Sequence, residues 1–289
     1  MREIGLTLLL LASLTLMELL LATSLRADTS TQDKDIWVDQ SGGFTIRWST
    51  SDIIVHPLDN VQEVRFSAKD LARKDLEDTL NMAKEPSDKE NRLALYERDF
   101  TILSVVGSIV SFQDHSFISF QHEAHPAGET RFTAIDLVRS GAGVKLTEFF
   151  AESVILDALL ADPLIKEALR NAENPDPPKT LSELIARTSP GVFGFKGFCY
   201  SISDDLLTRF AFHHIEGNKV AVRIGLSGAG PCREALTQLG LLLPIPDSLK
   251  GALALAESGK EGFLMKDQKQ IAHNQKATFK FIANKDAGN

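Results

Sequence analysis

The chain has little of what covalent chemistry needs. Its 289 residues include two cysteines, two tryptophans and two tyrosines. No Gly-x-Ser-x-Gly turn occurs, which excludes a nucleophile elbow of the hydrolase type. The glycine-rich pieces Gly141 to Gly143 and Gly225 to Gly230 lack the Gly-Lys-Ser/Thr ending and the G-x-G-x-x-G spacing of phosphate loops, and read as tight turns that need positive φ. Positive charge is in deficit. The formal net charge of -8 is spread along the chain, which argues against DNA, RNA or anionic lipid as the main partner and suits a cationic protein. Seventeen phenylalanines against two tryptophans and two tyrosines assign the aromatics to core filling, because sugar-stacking platforms favour rings with a polar handle. Trp37 and Trp48 are the candidates for an exposed rim. No solenoid repeat is visible.

The one long apolar run lies at the start. Leu6 to Leu21 is leucine-rich, follows Arg2, is interrupted by Glu18 and ends among small residues. Cleavage after Ser24 or after Ala27 suits a secretory signal peptide, which sends the chain to the periplasm or outside the cell. The rival is an uncleaved inner-membrane anchor, and only in that case does the chain touch a membrane. The run is near the minimum spanning length of about 17 residues, and Glu18 is costly within it. No cysteine follows the run, which speaks against a lipoprotein anchor. Cys199 and Cys232 remain in the exported part. In an oxidising compartment an even count favours a disulfide, and two cysteines allow one pairing. Such a bridge contributes roughly 3 to 4 kcal/mol by the loop-entropy argument. Two buried free thiols are the alternative.

Along the chain, Ile36 to Trp48 reads as a hairpin around Gly42-Gly43, and Ser51 to Val55 as an extended piece ended by Pro57. Ser67 to Lys84 reads as an exposed amphipathic helix with Ser67 as cap. Phe100 to Val110 reads as one long strand with a bulge at Gly107. Glu152 to Ala172 is helical in two pieces broken at Pro163. The proline cluster from Pro175 to Pro178 is either a boundary between subdomains or a surface loop within one. A short helix capped by Thr180 follows, and strands return up to Ile224, with Asp204-Asp205 and Gly217-Asn218 as turns. Arg233 to Leu243 reads as a helix ending at Pro244, and Ser248 to Ser258 as another. Ala277 to Ile282 is an added strand or part of a tail.

The chemistry-bearing stretch runs from His115 to Phe150. Two alternating runs, Phe117 to Gln121 and Arg131 to Leu137, flank an insert holding His122, Glu123, His125, Gly128 and Glu129. These five are the candidate ligand-binding residues. His122 and His125, three apart beside a carboxylate, invite a Zn²⁺ reading, but a loop lacks the helical register of His-Glu-x-x-His. His115 and the pair His213-His214 would add ligands only if the fold gathers them. The plainer reading is that His125 and Pro126 shape the loop, and no cofactor is expected. Asp204-Asp205 is read as a turn former rather than an acid-base pair.

The order of strand, Ala-His-Pro loop, strand ending Asp136-Leu137, glycine turn and Leu146-Thr147-Glu148-Phe149-Phe150 resembles a family of bacterial extracytoplasmic domains. These occur in RsiV-like anti-sigma-factor ectodomains and beside the catalytic domain of PdaC-like peptidoglycan deacetylases. The run from Phe198 to Pro246, with Cys199-Tyr200-Ser201-Ile202 and Val220 to Ile224, is similar to the family's C-terminal half. The resemblance implies an α+β fold of antiparallel sheets from two related halves with helices packed on one face. Between the signal peptide over 1–27 and a helix with a polar tail over 251–289, it implies a PdaC-like subdomain over 28–175 and an RsiV-like subdomain over 176–250. It also implies a cell-envelope context. RsiV-like ectodomains bind lysozyme, but this chain shows no sigma-binding segment before its apolar run. The expectation is therefore a non-catalytic binding or sensing module whose partner is a lysozyme-like cationic hydrolase or a peptidoglycan fragment. A metal-assisted glycan hydrolase or deacetylase, and a structural envelope protein, are the alternatives.

Overall fold

The computed structural model describes residues 33–82, 93–121, 126–170, 176–188, 202–203, 205–226 and 237–282. Among these residues the class is α+β, with three antiparallel sheets. Strands β1 (Asp35–Ser41), β2 (Phe44–Ser49), β3 (Ile53–Pro57) and β4 (Phe66–Ser67) form the first sheet in that order. β5 (Leu93–Val106), β6 (Ile109–Phe120), β7 (Ala127–Asp136) and β8 (Ala142–Gly143) form the second, which β12 (Ala277–Ile282) extends beyond β5. β9 (Phe210–Glu216), β10 (Lys219–Leu226) and β11 (Thr237–Pro244) form the third, with β10 central.

Helix α1 (Ala68–Met82) follows from its pattern: Ala68, Ala72 and Leu76 are buried at four-residue spacing, which makes one apolar stripe. Its start is fixed twice. The Asp70 amide donates to Ser67 Oγ, and the Lys69 amide donates to the buried carboxylate of Asp52, so two of the free N–H groups of the first turn are satisfied. The stripe faces a core that Trp48, Tyr96, Phe100 and Phe112 fill, all nearly or fully buried. Each of these side chains is worth roughly 1.5 to 3 kcal/mol by burial. Trp48 is therefore no rim residue, and Trp37 packs edge-on against Phe263 with ring centres 4.9 Å apart.

A second core lies between the β9–β11 sheet and helices α2 (Glu152–Ala161), α3 (Pro163–Arg170), α4 (Leu181–Thr188) and α5 (Lys250–Glu257). It combines Ile155 and Leu159 with Leu184, Phe210 and Val222, so the stretches on either side of position 175 share it. Pro163 opens α3, where a missing N–H is harmless, and the Leu164 amide is capped by Asp162. The other oxygen of Asp162 accepts from the Gly240 amide at 2.9 Å, tying α2 to the outer edge of β11. A short α6 (Gln268–Ala272) precedes β12.

Two elements differ from the sequence reading. Phe100 to Val110 is the end of one strand and the start of the next: Gly107 sits in a two-residue turn between Val106 and Ile109 with φ of 58°. It is a turn glycine and not a bulge. The expected helix from Arg233 is a strand from Thr237 onward, because Leu239, Leu241 and Leu243 are buried by alternation while Leu242 is exposed, in unbroken register with β10. Leucine-rich runs fit either period, and pairing decided between them.

The first two sheets touch through their turns. Gly42, at φ of 57°, lies against the backbone of Gly107 and Ser108, and Ser41 Oγ donates to the Gly107 carbonyl at 2.9 Å. A side chain at 42 would meet main chain, whereas the neighbouring Gly43, at φ of 87°, faces open space. Gly42→Ala is expected to lower stability by at least about 2 kcal/mol and Gly43→Ala by about 1 kcal/mol, from strain alone. Urea denaturation of both variants checks the difference.

Candidate functional site

Each face of the five-stranded sheet carries one group of polar side chains, and the two groups differ in character. On the face toward α1, Arg98 is buried and clasps buried Asp114 across the β5–β6 pair, Nε to Oδ1 at 2.8 Å and Nη2 to Oδ2 at 2.6 Å. Its Nη1 lies 3.1 Å from Asp75 of α1, which also accepts from the Tyr96 hydroxyl at 2.7 Å. Arg131 approaches Asp114 from β7 at 3.4 Å, and the Arg98 guanidinium sits 5.3 Å from the Phe100 ring centre. Two cations meet two carboxylates, so the group is neutral as a whole. Burial and the bond to Asp75 push the Tyr96 phenol far above its ordinary range, which keeps it a donor. Burial pulls the Arg98 guanidinium down, but the bonds and charge of Asp114 outweigh it. With every charge matched, this cluster holds structure. Arg98→Met alone is expected to cost about 3 to 5 kcal/mol by stranding Asp114, and the double variant Arg98→Met with Asp114→Leu to recover most of that loss. Their urea midpoints decide it.

The opposite face carries the candidate site. Strand register places Thr278 of β12 opposite Asp99 of β5, Asp99 opposite His115 of β6, and His115 opposite Thr130 of β7. Directly paired residues share a face, so hydroxyl, carboxylate, imidazole and hydroxyl form one row across four strands. Asp99 and Thr130 are buried and His115 is half-buried. Asp99 accepts from Thr278 Oγ1 at 2.7 Å and from Lys276 Nζ. His115 Nδ1 and Thr130 Oγ1 are 2.8 Å apart. One rung toward the β6–β7 loop lie Glu97, Phe117 and Gly128, and one rung the other way Thr101, Gln113 and Phe132. Phe132 is covered by the third sheet, its ring against Gly225.

Of the residues expected from sequence, Gly128 joins this face beside Phe117, where it adds no side chain over the ring. Glu129 pairs with Ser116 and belongs to the Arg98 face. His122, Glu123 and His125 lie outside the described residues, as do Cys199 and Cys232. No local sequence pattern marks the row. Asp99, Thr130 and Thr278 each look like the polar half of an amphipathic strand, and only pairing brings them together. No group of three or more metal-ligating side chains occurs among the described residues. Asp205 behaves as a turn former: burial raises its carboxyl, but bonds from Ser203 and Arg209 and the charge of Arg209 hold it below the ordinary range.

Away from this face, an open cleft of about 590 Å³ lies between β1 and the Lys260–Glu261 turn. Val38 and Leu58 are about half exposed there. The carboxylate of Asp39 is already used, accepting from the amides of Gln40 and Gly262. Compared with known protein families and with curated proteins, the chain matches none. No helix among the described residues is long and apolar enough to cross a membrane.

The row can recognise more readily than it can react. Its acceptor Asp99 is filled from within the protein, the Thr130 hydroxyl is buried, and the outward capacity rests on the second nitrogen of His115 and the remaining N–H groups of Lys276. Asp99→Ala removes the shared acceptor of Lys276 and Thr278. It is expected to cost about 1 to 3 kcal/mol and to speed hydrogen exchange at the β12 amides ahead of those of β6, measurable by exchange mass spectrometry.

Proposed function

We infer that this chain is a secreted binding or sensing module of the cell envelope, non-catalytic, exported by a signal peptide ending at Ser24 or Ala27. The observation that carries the reading is the Thr278–Asp99–His115–Thr130 row beside Phe117 and Gly128. The second nitrogen of His115 and the Lys276 ammonium, held in place by Thr130 and Asp99 beside a partly covered ring, suit a ligand with hydroxyls along one edge and an apolar face, as a peptidoglycan fragment has. Groups that bond one another hold their positions without a ligand, which lowers the ordering cost of binding. The resemblance to RsiV-like and PdaC-like domains supports the same context. A second reading, capture of a lysozyme-like cationic hydrolase, is favoured by the net charge of -8, which would speed encounter with a basic partner.

Calorimetric titration of the chain from Asp28 onward, against soluble peptidoglycan fragments and against a c-type lysozyme, tests both. Fragment binding is expected to change little between low and physiological salt, and to weaken at least tenfold in His115→Ala, which removes one well-placed polar contact. Lysozyme binding that falls steeply with salt, and is indifferent to His115, would move the conclusion to the second reading. Heat from neither ligand would overturn both.

A further inference from the structure

His213 and His214 are consecutive residues of β9, at a point where its pairing with β10 slips. His214 pairs with Ala221 and Phe212 with Val222, leaving His213 as the extra residue of a bulge. The bulge brings both rings together, with Nδ1 of one 2.7 Å from Nδ1 of the other and the planes at 79°. Two imidazole nitrogens in hydrogen-bond contact must be one N–H and one lone pair. In the neutral pair one ring is therefore the Nδ1–H tautomer. A first proton leaves the contact intact, because an imidazolium Nδ1–H still donates to the neutral ring. A second proton sets N–H against N–H and breaks it.

The surroundings oppose that second proton. Arg223 of β10 and Lys266 of the Met265–Asp267 turn act on His213 as like charges, with Asp267 acting the other way. Lys266 is itself held on Glu257 of α5. β5 and β7 reach β9 near Leu103, Ser104 and Phe132, and Ser111 of β6 lies opposite Ser104, none of which is charged. Burial first, then Arg223 and His214, hold the His213 imidazole below its ordinary range.

The pair also sits where the sheets join. The Phe212 amide donates to Ser104 Oγ on β5 at 3.2 Å, and Met265 packs on Leu103, Phe132 and Ala211. Two residues before Met265, Phe263 bridges to Val105, and the Gly262 amide reaches Asp39 of β1.

We propose that the His213–His214 contact is an acid-operated latch, closed with no proton or one proton added and opened by the second, which loosens the seat of the 262–267 segment on β9. The sign follows from linkage. A histidine with a lowered native pKa binds fewer protons when folded than when unfolded, so the stability present above the ordinary value of about 6.5 is lost as pH falls below it. This inference does not rest on the ligand proposed above.

The test uses the full chain. Ring-nitrogen NMR between pH 8 and 4.5 is expected to show one Nδ1–H tautomer at high pH and two separate protonation steps for the pair. In urea unfolding at pH 7.5 and 5.5, the wild-type unfolding constant is expected to rise several-fold more on acidification than that of His213→Gln. Two Nε2–H tautomers titrating independently would overturn the proposal, as would an unchanged pH dependence in His213→Gln. Should that variant fail to fold, the wild-type ring signals alone decide.

Discussion

The bidentate bond between Arg98 and Asp114 is the constraint around which the central sheet is arranged. Two charges removed from water are tolerable only if geometry is good and remaining donors are satisfied. Here that demand reaches in three directions, to Asp75 on α1, to Tyr96 along the same strand and to Arg131 on β7. It also fixes register. A one-residue slip of β5 against β6 would carry Arg98 to the other face and leave Asp114 buried without a partner, at a penalty much larger than that of an apolar mismatch. The long β5–β6 hairpin thus has one register, and the first sheet and α1 pack on the face which that register defines.

Because one face of the sheet is taken up by that network and the core over it, the candidate site lies on the other. Its inner part is taken by the third sheet, with Phe132 against Gly225 and Leu103 against Ala211. The strand period of two then places Asp99, next to Arg98 in sequence, on the opposite side of the sheet. Arg98 and Asp99 are adjacent charges with unrelated tasks: one is clasped inside the core, and the other anchors β12 and lines the candidate face. The two tasks are separable by mutation for the same reason, since their hydrogen-bond partners do not overlap.

Local features were legible in the sequence. The Gly42-Gly43 hairpin, the Ser67 cap, the helical break at Pro163, the Thr180 cap and the Gly217-Asn218 turn each follow from a few adjacent residues, and the structure places them where those residues indicate. What failed was non-local. Thr237 to Pro244 became a strand because β10 lay ready to pair with it, and Gly107 became a turn because β6 folds back on β5. The segment Glu97-Arg98-Asp99 supplies a buried ion pair and a buried acceptor. Charge alone does not tell a strand's solvent side from a desolvated pair. The partner carboxylate lies 16 positions away, beyond any local pattern.

The same limit bears on the histidines. His122 and His125 stand out because they are close in sequence, whereas His115 gains its role from Thr130 on the next strand. His213 and His214 are a further case. In a regular strand consecutive side chains point to opposite faces, so an adjacent pair ought to be separated by the sheet. A single extra residue in β9 cancels that separation and sets the two rings in contact beside Arg223 and Lys266. A bulge is thus enough to turn two ordinary strand residues into a coupled pair, and its position at the junction of the sheets lets a local proton reach the packing of three of them.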